Sequence, residues 1–181
     1  MVLGGSIVPD DTRDKIVEIY RCCFGGIFGY CARRLYRKDL AEDAASDVFV
    51  RLVEEYPSLK DKSRQQIRYW LYGTARNVVA AFLRDSTRRK AIAEGLAQER
   101  QKMFSADQHS DVRIDWPVVY EALLKLDSHD QDIIVLRFFE GLETSAIAEI
   151  LGIKHVTVRV GLSRALKKLA HKLQKAFYGP Q

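Results

Sequence analysis

The stretch TSAIAEILGIKHVTVRVGLSRALKKL, residues 144–169, contains two helical patterns separated by a glycine. Apolar residues recur at helical spacing over 147–151 and again over 158–169. Gly152 lies between them and supplies the backbone freedom that the end of a helix requires. A short helix, a tight turn and a longer second helix predict a helix-turn-helix motif, although two packed core helices produce the same apolar stripes.

The charge pattern favours DNA as the partner of the second helix. The last acidic residue of the chain is Glu149, and seven Lys or Arg residues lie between Lys154 and Lys175. A helix that only packs against a core has no reason to exclude every carboxylate, whereas a helix that enters the major groove has one. We therefore interpret the motif as a DNA-binding motif.

The remaining sequence predicts an all-α fold. Helical periodicity is nearly continuous over 10–85 and returns over 116–178, whereas it lapses over 86–115. No stretch shows the alternation of a half-buried strand. With 181 residues, 47% of them hydrophobic and 29% charged, the chain is long enough for two small globular domains. We predict two helical domains, 10–85 and 116–178, joined by a flexible linker over 86–115.

Several classes of protein are excluded by composition. No apolar run is long enough to span a membrane, and the first residues lack the pattern of a secretory signal, so we expect a cytoplasmic protein. The net charge of +5 points to a polyanionic partner. Cys22, Cys23 and Cys31 show no metal-ligand spacing, and neither do the histidines, so we expect reduced, packed thiols and no metal or cofactor.

Three glycines interrupt the first helical stretch, at Gly25, Gly26 and Gly29. A glycine within a helix either lets another element approach closely or marks the place where the helix breaks. The sequence leaves both interpretations open.

An acidic amphipathic helix is predicted from Leu40 to Glu55. Asp43, Asp47 and Arg51 are spaced by four residues and therefore align on one face, opposite the apolar stripe. Arg51 is the only basic residue in this stretch. The face is either a simple solvated surface or a docking surface for a basic protein partner.

The following predicted helix has basic and aromatic side chains opposite its apolar stripe. Arg68, Tyr72 and Arg76 form one row, and Tyr69 and Asn77 lie in the adjacent row. Cations can follow phosphates, rings can stack on unpaired bases and an amide can read a base edge, so this combination suits single-stranded DNA. Alternatively, the two tyrosines are partly buried spacers and Asn77 forms a hydrogen bond within the protein.

Three stretches carry a family resemblance: AEDAASDVFVRL at 41–52, WLYGTARNVVAAFLR at 70–84, and LRFFEGLETSAIAEILGIKHVTVRVGLSRAL at 136–166. In this order they resemble region 2.2, the segment that follows it, and region 4 of the group IV, or extracytoplasmic function, sigma factors of bacterial RNA polymerase. The resemblance covers nearly the whole chain. It implies sigma region 2 over 10–85 and sigma region 4 over 116–178.

The resemblance implies a subunit that directs promoter recognition, DNA melting and transcription initiation. The acidic helix would dock on the clamp coiled coil of the large polymerase subunit through Asp43, Asp47 and Arg51. The melted minus-ten strand would be held by Lys60, Lys62, Ser63, Arg68, Tyr69, Tyr72, Arg76 and Asn77. The minus-thirty-five element would be contacted by Lys154, His155, Val156, Thr157, Arg159, Val160, Ser163, Arg164 and Lys167.

The resemblance also implies partners, namely core RNA polymerase, promoter DNA and an anti-sigma factor. Four positions depart from the family pattern: Ser46 stands where Gln is common, Ala146 stands where Glu is frequent, and the other two lie in the recognition helix. Lys154 stands where Ser or a similar N-cap usually opens the recognition helix, and we interpret its charge, with that of His155, as offset by DNA phosphates. Gly161 replaces a family Arg or Lys and is expected to cost the helix roughly 1 kcal/mol.

Two other classes of function explain less of the sequence. An ordinary helix-turn-helix transcriptional regulator, which is not a polymerase subunit, explains the C-terminal half but gives no reason for the basic aromatic helix. An enzyme such as a nuclease would need an acidic cluster beside the basic surfaces, or a nucleophile with a base and an orienting group, and the sequence shows neither. We therefore predict a protein without catalytic activity.

Overall fold

Helices form all the regular structure in the described part of the chain. The computed structural model describes residues 10–85 and 116–178, and the predicted linker, 86–115, lies outside them. The N-terminal unit consists of α1 (Asp10–Leu35), α2 (Lys38–Leu59) and α3 (Arg64–Arg84). The C-terminal unit consists of α4 (Trp116–Leu124), α5 (Ser128–Ile134), a π-helical turn (Val135–Phe139), α6 (Thr144–Leu151) and α7 (His155–Tyr178). The predicted all-α fold is confirmed.

Across 10–85 and 116–178, no helix combines the length and the apolar character that crossing a bilayer requires.

Local hydrogen bonds mark the end of α1 and the start of α3. After α1 the chain reverses at Tyr36, which has a left-handed φ of 54° and donates its amide to the Ala32 carbonyl over 2.9 Å. A capping box opens α3, because the Ser63 side chain accepts from the Gln66 amide and the Gln66 side chain accepts from the Ser63 amide. These two ends allow the apolar stripes of α1, α2 and α3 to face one another.

The predicted helix-turn-helix is present as α6 and α7. The turn occurs at Gly152, which has a φ of 65°, a conformation that glycine adopts without steric cost. On the inner face of α7, Val158 and Ala165 are fully buried. Helix α5 packs beneath this motif and is capped by Asp127, whose side chain accepts a hydrogen bond from the Asp130 amide over 2.9 Å.

The two units share one apolar core. Ile133, Leu136 and Ile147 of the C-terminal unit belong to the same buried cluster as Ile27 and Leu71 of the N-terminal unit. Helices α1 and α3 provide one side of this cluster, and α5, the π-helical turn and α6 provide the other. The sequence predicts both units but does not predict that they pack together.

Two glycines of α1, Gly26 and Gly29, permit close packing, and none of the three breaks the helix. A β-carbon at position 26 would lie 2.6 Å from Tyr72 Oη, and one at position 29 would lie 2.6 Å from Arg33 Nη1. Helix α1 runs unbroken through both positions. At Gly26 and Gly29 the absence of a side chain therefore makes room for polar groups that reach the C-terminal unit.

Candidate nucleic-acid interface

The acidic face of α2 is open to solvent. Asp43, Asp47 and Arg51 are all exposed, and the opposite face of the helix, which includes Val48 and Leu52, is buried. The helix is therefore amphipathic in the predicted sense, and its charged row is available to a partner.

An apolar strip lies beside this charged row. Val50 and Val53 of α2 are 53% and 37% exposed, and Tyr20 of α1 is 44% exposed. The Tyr20 ring packs edge-on against Phe49, with 4.8 Å between ring centroids. These residues are absent from the sequence prediction, although the three-residue spacing of Val50 and Val53 outside the apolar stripe is a signal that could have found them.

The turn before α3 and part of α3 itself form a basic surface. Lys60, Lys62 and Ser63 are exposed at the turn, and Arg68 and Asn77 are exposed along the helix. Within the described residues no group forms a hydrogen bond with the Asn77 amide. The described part of the chain therefore contains no partner for the internal hydrogen bond that was the alternative role of Asn77.

The two tyrosines of this surface differ in environment. Tyr69 is half-buried, and its hydroxyl accepts a hydrogen bond from Gln65 Nε2 over 2.6 Å. Tyr72 is only 2% exposed, and its hydroxyl donates to Glu140 Oε2 over 2.9 Å. Burial, together with the nearby Glu140 carboxylate, raises the pKa of Tyr72 to about 12. Of the two alternatives for Tyr72, the structure shows the buried one, because the C-terminal unit covers this part of α3.

Arg76 is also engaged by the C-terminal unit. Its Nε donates to Asp132 Oδ2 over 3.0 Å, and Asp132 is only 2% exposed. The row predicted to face solvent thus remains open at Arg68, is buried at Tyr72, and is partly exposed at Arg76, whose side chain is 39% exposed although its Nε is bound to Asp132. Sequence spacing could not reveal this, since the covering carboxylates lie more than fifty residues away along the chain.

A cleft of about 580 Å³ lies between α1, α3 and the turn before α6. Arg68 and Tyr69 line the cleft from α3, and Arg64 lies beside them. From the C-terminal unit, the turn contributes Glu140 and Glu143. Two of the predicted strand-binding side chains, Arg68 and Tyr69, therefore line an open cleft. The opposite wall of this cleft carries the acidic residues Glu140 and Glu143.

The recognition helix α7 presents its predicted DNA-facing side chains outward. Two of them are apolar, since Val156 and Val160 are 67% and 63% exposed. The others are polar or basic, and all of them are exposed: Lys154, His155, Thr157, Arg159, Ser163, Arg164 and Lys167. This surface lies apart from the shared core and remains open.

Ion pairs between α5 and α7 hold the recognition helix in place. Lys168 Nζ donates to Asp127 Oδ2 over 2.8 Å and to Asp130 Oδ2 over 2.6 Å. The hydrogen bond from Lys168 holds the pKa of Asp127 well below its usual range. Arg164 also donates to Asp130, over 3.3 Å, while most of its side chain stays exposed. At the start of α7, His155 Nε2 lies 2.7 Å from Thr144 Oγ1, which joins the two helices of the motif.

The cysteines do not form a metal site in the described part of the chain. All three are free thiols, with Cys23 and Cys31 buried as expected and Cys22 exposed, contrary to the expectation of packed thiols. Across the described ranges, no three His, Cys, Asp or Glu side chains are grouped as metal ligands would be.

The fold and these surfaces define a helix-turn-helix DNA-binding protein with a second basic surface on its N-terminal unit. The model of sigma-70 region 2 matches residues 19–99, and the model of sigma-70, region 4 matches residues 118–169. The RNA polymerase sigma factor YlaC of Bacillus subtilis is 30% identical over 168 residues, which cover 91% of this chain and 95% of that protein. The chain belongs to the sigma-70 family and is an RNA polymerase sigma factor of the extracytoplasmic function class.

Further comparisons agree with this assignment. The ECF RNA polymerase sigma factor SigD of Mycobacterium tuberculosis is 27% identical over 169 residues, or 91% of this chain and 79% of that protein. Among solved structures, the sigma factor RpoE of Bartonella quintana, in complex with the anti-sigma factor NepR, superposes with a TM-score of 0.60 at 20% identity, covering 91% of this chain and 97% of that one. CnrH, in complex with the cytosolic domain of CnrY, superposes with a TM-score of 0.62 at 20% identity, covering 90% and 89%. The structural likeness shows a shared fold.

Proposed function

We propose that this sigma factor uses three surfaces: the acidic face of α2, the basic surface at the start of α3, and the outer face of α7. The acidic face of α2 docks on core RNA polymerase through Asp43, Asp47 and Arg51. Residues 10–85 act as sigma region 2, residues 116–178 act as sigma region 4, and residues 86–115 connect them. The protein works by binding, without catalysis of its own, and acts in the cytoplasm, where it meets polymerase and promoter DNA.

The observation that supports this proposal best is the separation of charge on the N-terminal unit. Helix α2 exposes an acidic row beside the apolar strip of Tyr20, Val50 and Val53. In the turn before α3, by contrast, the exposed charged side chains around Ser63 are all basic except Asp61. A protein partner with a basic, partly apolar surface fits the first, and a phosphate backbone fits the second. A regulator that only binds duplex DNA through α7 needs neither the acidic face of α2 nor the basic turn before α3.

The minus-ten strand is proposed to bind along the turn before α3 and the exposed part of that helix. Lys60, Lys62 and Arg68 would neutralise phosphates, and Tyr69 would stack on a base. Asn77 is exposed with a free amide in the described part of the chain, and it would read the edge of an unpaired base.

The minus-thirty-five element is proposed to bind the outer face of α7. Arg159, Arg164 and Lys167 would contact phosphates or guanine edges. Val156 and Val160 leave apolar surface exposed amid these cations, and such side chains suit the methyl group of thymine. The proposed readout is therefore mixed, with cations that position the helix and valines that favour thymine.

An anti-sigma factor is a proposed third partner. Two solved sigma factors of this fold, RpoE and CnrH, are bound to NepR and to the cytosolic domain of CnrY, respectively. The exposed apolar strip on α1 and α2 offers an inhibitor the same surface that polymerase would use, so the two partners would compete.

Transcription with purified core polymerase tests the strand-binding part of this proposal. Asn77→Ala should reduce open-complex formation about tenfold, the loss expected for one base-edge contact, while polymerase binding stays unchanged. Gln174→Ala removes an exposed amide from the far end of α7, outside every proposed surface, and serves as the matched control. Normal open complexes with Asn77→Ala would refute the role of Asn77.

A second pair of variants tests the polymerase surface. Asp43→Asn combined with Asp47→Asn should weaken binding to core polymerase and leave binding to duplex DNA intact. Asp14→Asn with Glu149→Gln removes two exposed acids that lie away from the α2 row and controls for the loss of two negative charges. If the chain binds duplex promoter DNA but never directs initiation by polymerase, the proposal as a whole fails and a plain regulator is supported.

A further inference from the structure

A buried carboxylate beneath the recognition helix binds two of its cations. Asp130 of α5 is fully buried. Its Oδ1 accepts a hydrogen bond from Arg164 Nη2 over 3.3 Å, and its Oδ2 accepts one from Lys168 Nζ over 2.6 Å. More than half of the Arg164 side chain is nevertheless exposed, and Lys168 is half-buried. A carboxylate that belongs to α5, outside the helix-turn-helix, is therefore bonded to cations on the surface of α7.

The two cations depend on Asp130 to different degrees. Asp127 Oδ1 accepts the Asp130 amide over 2.9 Å, and Asp127 Oδ2 accepts Lys168 Nζ over 2.8 Å. Lys168 is thus bound by two carboxylates. Arg164 is bound by Asp130 alone among the residues at 10–85 and 116–178. The orientation of the Arg164 guanidinium in the free protein is therefore set by one buried side chain.

Arg164 lies in a groove on the proposed DNA-facing side of α7. The groove has a volume of about 250 Å³, and Val156, Val160 and Gly161 line it together with Arg164. The two valines are the exposed apolar side chains to which we assign contact with thymine. The guanidinium that Asp130 binds is thus part of the same surface that would meet the edges of the bases.

The neighbouring carboxylate changes which DNA group suits Arg164. A guanidinium has five N–H donors, and the bond to Asp130 leaves the others available. The negative charge of Asp130 offsets part of the attraction between Arg164 and a phosphate. The O6 and N7 atoms of guanine are neutral acceptors, and two bonds to them require above all that the planar fork be correctly oriented. The pair therefore favours a guanine edge over a phosphate.

We propose that Asp130 is a positioning residue for promoter recognition, which holds Arg164 in the orientation in which its remaining donors bind one guanine of the minus-thirty-five element. This inference rests on the proposed role of α7 in binding that element. Asp130 does not touch DNA and acts through Arg164. An arginine that is already oriented loses less side-chain freedom when it binds, so the contact with guanine becomes stronger.

The test measures preference at single base pairs. The full-length wild type, Asp130→Asn and Arg164→Ala are each assembled with core polymerase, and each holoenzyme selects from a promoter library randomised across the minus-thirty-five region. The wild type should enrich guanine at one position, and Arg164→Ala should lose that preference. Asp130→Asn should lower the same preference by about tenfold, because a bidentate contact with guanine is worth roughly fivefold to a hundredfold in discrimination. Preferences at the other positions should persist.

A matched control removes the neighbouring carboxylate. Asp127→Asn takes one negative charge from the same network, keeps a good N-cap for α5 and leaves the bond between Asp130 and Arg164 in place. It should retain the guanine preference. If Asp130→Asn does not fold, nitrogen-15 relaxation of the wild type serves: Arg164 Nε should be more ordered than Nε of exposed Arg159. Equal mobility of the two side chains would overturn the positioning role.

The outcomes separate the positioning role from the proposed function. If Asp130 acts only as a negative charge near DNA, Asp130→Asn should tighten binding to every sequence and keep the guanine preference, and this result overturns the proposal. An equal loss of preference at all positions indicates a displaced helix and overturns it too, as does a library in which no guanine depends on Arg164. If the wild-type holoenzyme enriches no upstream element at all, the proposed function of α7 itself fails.

Discussion

At the scale of single residues, Gly161 shows how packing changes the meaning of a sequence departure. From the sequence alone, a glycine in the recognition helix is only a loss of helix stability. In the structure a β-carbon at this position would lie 2.9 Å from Cδ1 of Ile133, which is fully buried in the shared core. The glycine therefore allows α5 and α7 to approach closely.

Replacing Gly161 with alanine tests this interpretation. Gly161→Ala gains up to about 1 kcal/mol from helix propensity but forces Ile133 to move, and overpacking of this kind typically costs about 1–3 kcal/mol. We expect a net destabilisation in urea unfolding. In an Ile133→Val background the clash is removed, so the same substitution should become stabilising, and the double-mutant cycle should show a coupling of about 1 kcal/mol or more. An unchanged sign in that background would contradict the steric explanation.

The cysteines allow a prediction about pH dependence. Burial raises the pKa of the Cys31 thiol to about 12, and burial together with the hydrogen bond that it shares with Cys22 raises that of Cys23 to about 12. At pH 8 only about one in ten thousand of these groups is a thiolate, the reactive form. Cys22 is exposed, and we expect it alone to react quickly with an iodoacetamide reagent, as mapped by peptide mass spectrometry.

The other two thiols provide the internal comparison. Because their pKa values lie far above neutral pH, the thiolate fraction of each rises about tenfold per pH unit, and any slow labelling should rise with it. Full labelling of all three should require denaturant. Fast modification of Cys31 in the folded protein at pH 8 would show that its surroundings are open.

At the scale of elements, the sequence predicts helices well because periodicity and caps are local properties. The turn at Gly152 and the acidic helix are both present, and the predicted range of that helix, from Leu40 to Glu55, falls within α2. The observed helix continues past Pro57 to Leu59, because Tyr56 and Leu59 are buried against the core and stabilise its last turn. The π-helical turn has no such local signal, since it depends on how α5 meets its neighbours.

The start of α7 carries the element-scale prediction. The Lys154 carbonyl accepts the first helical hydrogen bond, from the Val158 amide over 3.2 Å, so Lys154 stands at the N-cap without a capping oxygen. Lys154→Ser supplies that oxygen and removes a cation from the positive helix end, so we expect the free protein to gain about 1 kcal/mol. Duplex DNA binding should weaken, and its salt dependence should fall by about one phosphate contact.

A matched substitution makes this prediction specific. Lys175→Ser makes the same chemical change near the end of α7, where no N-cap exists and a cation suits the helix dipole. It should not stabilise the free protein. If Lys154→Ser raises both stability and DNA affinity, the idea that phosphates offset the charge of Lys154 is wrong.

At the scale of the whole molecule, the sequence could not predict how the two units pack together. Tyr30 and Asp132 lie 102 residues apart, and Arg33 and Glu140 lie 107 apart, so no spacing rule connects them. Each residue looks ordinary within its own helix: a tyrosine or an arginine on α1, a carboxylate on α5 or beside it. The sequence also could not decide whether Tyr72 is exposed or buried, because Glu140, which binds its hydroxyl, lies far away along the chain.

The shared core leads to a prediction about folding. Since Ile133 and Ile147 pack into the same cluster as the N-terminal helices, neither unit can unfold without exposing apolar surface of the other. We expect one cooperative urea transition in the wild type, with coincident curves from helical circular dichroism and from hydrogen exchange in both units. Asp132→Asn weakens the only carboxylate partner of buried Arg34 within the described residues, and breaking such a pair costs about 3–5 kcal/mol. This variant should therefore unfold in two steps, with the amides of α5 and α6 exchanging at lower urea than those of α1. Two separate transitions in the wild type would show instead that the units fold independently and that the shared core does not couple them.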